Sequence, residues 1–409
     1  MAEWLALLPI LMLLICMTAL GWSAARSGMI GAGLAAVLAI LAFGYGTGGI
    51  DLAGPLLEAG FTAATILWIV FPALALHEVQ TRSGASARIG AWLTSVSDRP
   101  EILTLILAWF FALLLEGAAG FGTPVALVAP MLVALGYSPQ KSLVLALIGH
   151  AAGVSFGAVG IPMLPLLEAV PVRPEELSLA IMLLHTALGW ALALLVYRLA
   201  MTEGRTGNWA LAPLAAFLFL LPALALAWLT GPELPTLGGA LIGAGAFIAL
   251  VQWKWPAAGM SRSLQTGDSV LLAVLPYALV LAAILVTRTS VPLAAALQAF
   301  VLEWDLGGRF GGAVMPFYHP GTVLLFALAG AVIARPASRA VIAPSLACAA
   351  RRLPSVALAL VSVLLLSRIM VHSGMIDTLA RVAAALLGSA WPVAVPLVGA
   401  LGSFITGSA

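Results

Sequence analysis

The sequence predicts an all-α polytopic membrane protein with about ten full transmembrane helices. Two re-entrant hairpins complete it, arranged as an inverted-topology repeat whose second copy is truncated. Three observations lead there. The 409 residues are 63% hydrophobic and 8% charged, too little charge to cover a soluble surface. Arginine and lysine fall mostly in alternate loops between apolar runs. Two further apolar runs are interrupted by small and polar residues, Glu116-Gly-Ala-Ala-Gly-Phe-Gly-Thr-Pro124 and Gly402-Ser-Phe-Ile-Thr-Gly-Ser408.

The first run, 5–20, follows Glu3 and has no basic leader. It reads as a membrane helix and not as a cleaved signal peptide. Spans are expected near 4–21, 29–46, 61–78, 142–163, 178–197, 208–229, 236–252, 270–287, 320–334 and 354–371. Arg26, then Arg82, Arg88 and Arg99, then Arg198 and Arg205, then Lys254 and Arg262, then Arg335, Arg339, Arg351 and Arg352 mark one side. The loops around Asp51, Glu175 with Glu176, and Glu233 mark the other, with Arg173 as an exception. The positive-inside rule makes the basic side cytoplasmic and puts the N-terminus outside. The mixed-charge loop 288–319 then lies outside, and Asp51 and Glu58 are expected to be solvated beside an outer loop.

Residue 100 is then inside, and the helix 178–197 runs inward, so the stretch between them has one net crossing. The simplest arrangement makes 101–135 a hairpin with its tip at 116–124 and lets 142–163 cross. That helix contains His150-Ala-Ala-Gly-Val-Ser-Phe-Gly-Ala-Val-Gly-Ile-Pro162, whose glycines and proline invite an unwound middle. A second copy follows the same plan. The helix 61–78 leads to Ser83-Gly84, an amphipathic stretch and Pro100; the helix 354–371 leads to Ser373-Gly374, an amphipathic stretch with Asp377 and Arg381, and Pro392. The first repeat covers about 29–197 and the second about 320–409, within one transporter domain, 1–409. A return helix and second broken helix are expected beyond residue 409, because a chain end at membrane depth leaves backbone groups unpaired.

Charge inside a bilayer costs about 2.5–3.5 kcal/mol on insertion scales and is normally kept where it is used. Glu116 is therefore the first candidate to carry a proton, because a carboxyl in low dielectric can exchange protons near neutral pH. His150 titrates in the same range. A permanently paired Glu116 and a buried neutral His150 are the structural alternatives. Half-helix N-termini suit a substrate carboxylate. Gly117, Gly120, Gly122, Gly157 and Gly407 would let backbone approach it, with Phe121 in the same tip. Thr123, Ser155, Ser403, Thr406 and Ser408 would supply hydrogen bonds. Small residues can equally serve helix packing, as Gly239 and Gly243 are expected to do. Arg368 and His372, four residues apart, would attract an anion, pair with a carboxylate or snorkel to the interface.

Net charge +2 does not suggest nucleic acid. Cys16 and Cys348 form no spaced cluster, so neither a disulfide framework nor a metal site is expected. Gly153-Val-Ser-Phe-Gly157 matches the G-x-S-x-G pattern of serine hydrolases, but that elbow needs a strand before it. No P-loop or H-E-x-x-H occurs.

The runs Glu116-Gly-Ala-Ala-Gly-Phe-Gly-Thr-Pro-Val125, Ser155-Phe-Gly-Ala-Val-Gly-Ile-Pro162, Met370-Val-His-Ser-Gly-Met375 and Gly399-Ala-Leu-Gly-Ser-Phe-Ile-Thr-Gly-Ser408 resemble the L-lactate permease family, in the right order along most of the chain. The resemblance implies proton-coupled uptake of L-lactate, D-lactate or glycolate across the bacterial cytoplasmic (inner) membrane. It implies no cofactor beyond the proton gradient, and no partner beyond a small carboxylate, protons and lipid. His150-Ala151 stands where the family often has an Asn-Thr pair. Three alternatives stand beside this reading. One is a sodium-coupled carrier of dicarboxylates or other organic anions. The others are an intramembrane enzyme using Glu116 and His150 as an acid–base pair, and an inactive truncated remnant.

Overall fold

Nine helices among the described residues of the computed structural model are long and apolar enough to cross a membrane. The described residues are 2–120, 122–201, 207–256 and 270–406, with side chains described for 3–400 of these. In chain order the helices are α1 (Ala2–Thr18), α2 (Ala24–Ala42), α3 (Gly49–Arg82), α4 (Ala85–Thr94), α5 (Pro100–Ala118), α6 (Thr123–Ala134), α7 (Pro139–Ala151), α8 (Leu164–Ala169), α9 (Pro174–Ala200), α10 (Leu211–Thr230), α11 (Pro235–Lys254), α12 (Val270–Thr289) and α13 (Val291–Gln298). Strands β1 (Leu302–Leu306) and β2 (Phe310–Val314) follow, then α14 (Pro320–Ala334), α15 (Pro336–His372), α16 (Met375–Leu387) and α17 (Trp391–Thr406). The chain is a multi-pass membrane protein.

Helix ends follow local chemistry. Ser138 caps α7 by accepting the Lys141 N–H, with Pro139 in the first turn. The α9 helix opens on Pro174 with Glu175 and Glu176 in its first turn and closes with Arg198 in its last, matching the helix dipole. The expected run 61–78 starts earlier than its hydropathy suggests. The helix begins at Gly49, with Asp51 in its first turn, so Asp51 and Glu58 lie on α3.

One compact unit comprises residues 1–67, 301–315 and 350–409. Its core joins Ala6, Ala32, Ala35 and Ala39 to Leu366, Ile369, Met370 and Met375. Small residues on α2 permit close approach: a Cβ on Gly28 would lie 2.6 Å from Ser362 Oγ. The sequence reading missed the hairpin β1–β2, antiparallel with Leu306 opposite Phe310. Gly307 and Gly308 turn it with left-handed φ of 67° and 66°.

The other unit comprises residues 68–300 and 316–349. Its centre is α5, apolar all round and buried over its whole length. Residues Leu105–Phe111 form a π-helical turn, and Trp109 and Phe110 pack edge-on and tilted against Phe219 and Phe247. Gly239 and Gly243 do pack helices: added Cβ atoms would lie 2.8 Å from Ala223 Cβ and 2.5 Å from Leu218 O. Outside the spans, burial and the Arg288 charge push the His319 imidazole down to about 4. Arg288 itself is held by Glu233 Oε1 at 2.7 Å.

Two joints share one geometry. After α3, Gly84 is left-handed (φ 72°, ψ 10°) and starts α4. After α15, Gly374 is left-handed (φ 76°, ψ 10°) and starts α16. Ser83 and Ser373 each donate their backbone N–H to the carbonyl four residues back, Val79 and Ile369.

Candidate functional site

Both breaks expected between residues 101 and 163 are present. The α5 helix stops at Ala118 and α6 starts at Thr123, with Gly120 (φ 55°) and Gly122 (φ 79°) turning the chain. The second leg packs back along the first, from Ala112–Ala118 to Leu105–Phe111. The α5 leg has 19 residues and the α6 leg 12. The run that begins as α7 is bent by 69° between Ala151 and Val154. Past the bend, Ala158 (φ 44°) and Val159 (φ 57°) are left-handed. Such a conformation is strained for a β-branched valine and persists only where the surroundings impose it.

Glu116 lies where these breaks meet. It sits in the last turn of α5 and is 6% exposed. Its Oε1 fills a niche that only glycine leaves open: a Cβ on Gly157 would lie 2.2 Å from it, and one on Gly120 3.4 Å. Its Oε2 is 3.9 Å from His150 Nε2, its one ion-pair neighbour among the described residues. His150 Nδ1 is 2.7 Å from Ala146 O. A carbonyl there requires a donor, so Nδ1 carries a proton, and in the neutral form of the ring Nε2 would present a lone pair to Glu116. The separation is too long for a direct hydrogen bond.

Other predicted residues divide. Thr123 Oγ1 is buried without a hydrogen-bond partner among the described residues, at the start of α6. Ser155 lies in the 3-10 turn Val154–Phe156 beyond the bend, hydrogen-bonded to His185 at 2.8 Å. No strand precedes it, so the G-x-S-x-G elbow is not formed. Gly117 packs against a helix: its Cβ would lie 2.4 Å from Leu237 N. A Cβ on Gly122 would meet nothing within 4 Å. Phe121, Gly407 and Ser408 lie outside the described residues, as do the side chains of Ser403 and Thr406.

Arg368 and His372 pair with a carboxylate of the same chain. His372 Nε2 lies 2.7 Å from Glu58 Oε2, and Arg368 Nε 3.8 Å from the same oxygen. Glu58 Oε1 accepts the Gly311 N–H of β2. The expectation of a solvated Glu58 is therefore corrected: it is 8% exposed, because β2 and α15 close over it. Asp51 pairs with Arg309. Glu58→Ala leaves His372, Arg368 and the Gly311 N–H without their carboxylate, and removing one side of a buried pair costs about 3–5 kcal/mol. A lowered melting temperature in detergent, with faster proteolysis at 307–309, is the expected result.

The family model for L-lactate permease matches residues 3–310 and 313–409. The chain belongs to the L-lactate permease family. It is similar to an L-lactate permease of Streptococcus iniae, 30% identical over 84% of this chain and 74% of that protein. It is also similar to a putative L-lactate permease of Haemophilus influenzae, 25% identical over 89% and 75%. A glycolate permease of Escherichia coli is 30% identical over 64% of this chain and 47% of that protein. No solved structure matches.

Sequence reasoning missed His185 in this L-lactate permease family member. A histidine in the apolar run of α9 is itself a signal of function. Its partner is 30 residues away in sequence and is set by the bend. Among the described residues no group of three or more His, Cys, Asp or Glu could hold a metal ion.

Proposed function

We propose that this chain is a secondary active transporter that couples proton entry to uptake of L-lactate, with D-lactate and glycolate as related substrates. The observation that carries the reading is Glu116: a buried carboxylate at a helix tip, in a glycine niche, with a histidine as neighbour and no compensating arginine or lysine among the described residues. Proton uptake neutralises it, and proton release restores a charge that the site must accommodate. Membership of the family, and the lactate and glycolate permeases among its relatives, support the substrate class.

The substrate carboxylate is held at the start of α6, beside the unpartnered Thr123 hydroxyl and at the positive end of the helix dipole. The α5–α6 pair is a re-entrant hairpin in an inverted repeat. The matching joints at Gly84 and Gly374 support that repeat, and such repeats alternate access by moving against the rest of the fold. The protein works in the bacterial inner membrane with its N-terminus outside and carries its substrate chemically unchanged.

Uptake of labelled L-lactate into vesicles tests this. An imposed inward proton gradient should drive accumulation and a sodium gradient should not. Accumulation with sodium alone would replace protons by sodium as the coupling ion.

A further inference from the structure

The first turn of α11 meets both halves of the niche around Glu116. Its backbone packs on Gly117, the residue after Glu116: a Cβ there would lie 2.4 Å from Leu237 N. The turn before it packs on Gly160, where a Cβ would lie 2.6 Å from Pro232 O. Between these two contacts the buried Thr236 donates its hydroxyl to the Gly153 carbonyl at 2.6 Å. That carbonyl also accepts the Phe156 N–H at 3.0 Å, which closes the 3-10 turn Val154–Phe156. The next residue is Gly157, whose missing side chain admits Glu116 Oε1. So α11 touches Ala112–Ala118, Val154–Phe156 and Gly157–Gly160 alike. Thr186 on α9 and Thr230 on α10 satisfy their hydroxyls on their own helices, at Met182 O and Leu226 O. Thr236 instead reaches a segment 83 residues away. Packing on glycine is non-directional, whereas this bond fixes where the bend stands relative to Glu116.

We propose that Thr236 is a positioning residue for the proton step: its bond to Gly153 O holds Gly157 against the Glu116 carboxyl, so that the niche in which the proton is gained and released keeps its shape. The inference rests on the carrier reading above and deepens it. Thr236→Val keeps the shape of the side chain and removes the hydroxyl. Proton-driven accumulation of L-lactate should then fall by about tenfold, the equivalent of one net hydrogen bond. Exchange of internal for external L-lactate requires no proton release and should continue.

The test measures both quantities in vesicles carrying the full chain: accumulation of labelled L-lactate under an inward proton gradient, and exchange of labelled for unlabelled L-lactate at equal pH. Thr236→Val should lose accumulation and keep exchange. Thr236→Ser retains the donor and should restore accumulation. Gly153→Ala approaches the same contact from the other side, since its Cβ would lie 2.5 Å from Thr236 Oγ1. It should give the same split, which keeps the proposal falsifiable if Thr236→Val does not insert. Because Thr236 acts through Glu116, adding Thr236→Val to Glu116→Gln should leave the exchange of that variant unchanged. A purely structural role would lower accumulation and exchange in parallel, and that result overturns the proposal. An accumulation defect that Thr236→Ser does not repair overturns it too. Equal accumulation by Thr236→Val and a wild type that accumulates L-lactate also overturns it, while the carrier reading stands. Absence of accumulation in the wild type overturns the carrier reading and this proposal with it.

Discussion

Glu116→Gln should reduce proton-driven L-lactate uptake to background while the protein still inserts and folds. Glutamine has nearly the volume of glutamate, and the niche formed by Gly157 and Gly120 accepts its amide without displacing backbone. The amide also removes a buried charge that no arginine or lysine among the described residues compensates, so folding should not suffer. What is lost is the exchangeable proton. A neutral amide resembles the protonated carboxyl, so the loaded carrier can still reorient. Exchange of internal unlabelled for external labelled L-lactate should therefore persist in the variant when net uptake has stopped. Accumulation that still follows the pH gradient in Glu116→Gln would remove Glu116 from the coupling step. Loss of exchange together with uptake would make it a substrate-binding group instead.

Much of this site was legible because its signals are local. A carboxylate and glycines in an apolar run mark a helix end, and Gly122-Thr-Pro124 marks a helix start. The bend after His150 was legible for the same reason, although the left-handed conformation of Ala158 and Val159 was not, since neither residue favours it. Pairings set by tertiary packing were not legible. Glu58 and His372 are 314 residues apart in sequence, and loop chemistry alone pointed Glu58 toward water. The roles of the glycines divided for one reason. Gly157 faces a side chain and Gly117 faces the Leu237 backbone, and no residue type distinguishes those two neighbours. The hairpin β1–β2 did carry a signal. Alternating Leu302-Glu-Trp-Asp-Leu306 before Gly307-Gly308 is a strand and turn pattern, masked here by a long loop of mixed charge.

Gly149→Ala tests whether the site depends on how α7 is seated. A Cβ at Gly149 would lie 1.5 Å from the Ala108 carbonyl oxygen, well inside van der Waals contact. That oxygen belongs to the π-helical turn Leu105–Phe111, which touches α4, α6, α7, α9, α10 and α11. A backbone enclosed on so many sides cannot retreat, so α7 must move. His150 is the next residue, and its 3.9 Å approach to Glu116 is the first distance to lengthen. Overpacking of a close-packed interior typically costs about 1–3 kcal/mol and occasionally more, and contact with backbone places this case at the upper end. The variant should melt at a lower temperature in detergent, and the fraction that folds should show weakened proton-driven uptake. His150→Gln separates the two effects, because it removes the imidazole and leaves the seat of α7 intact. If Gly149→Ala melts like the wild type, α7 does not press on Ala108, and the distance from His150 to Glu116 is set elsewhere.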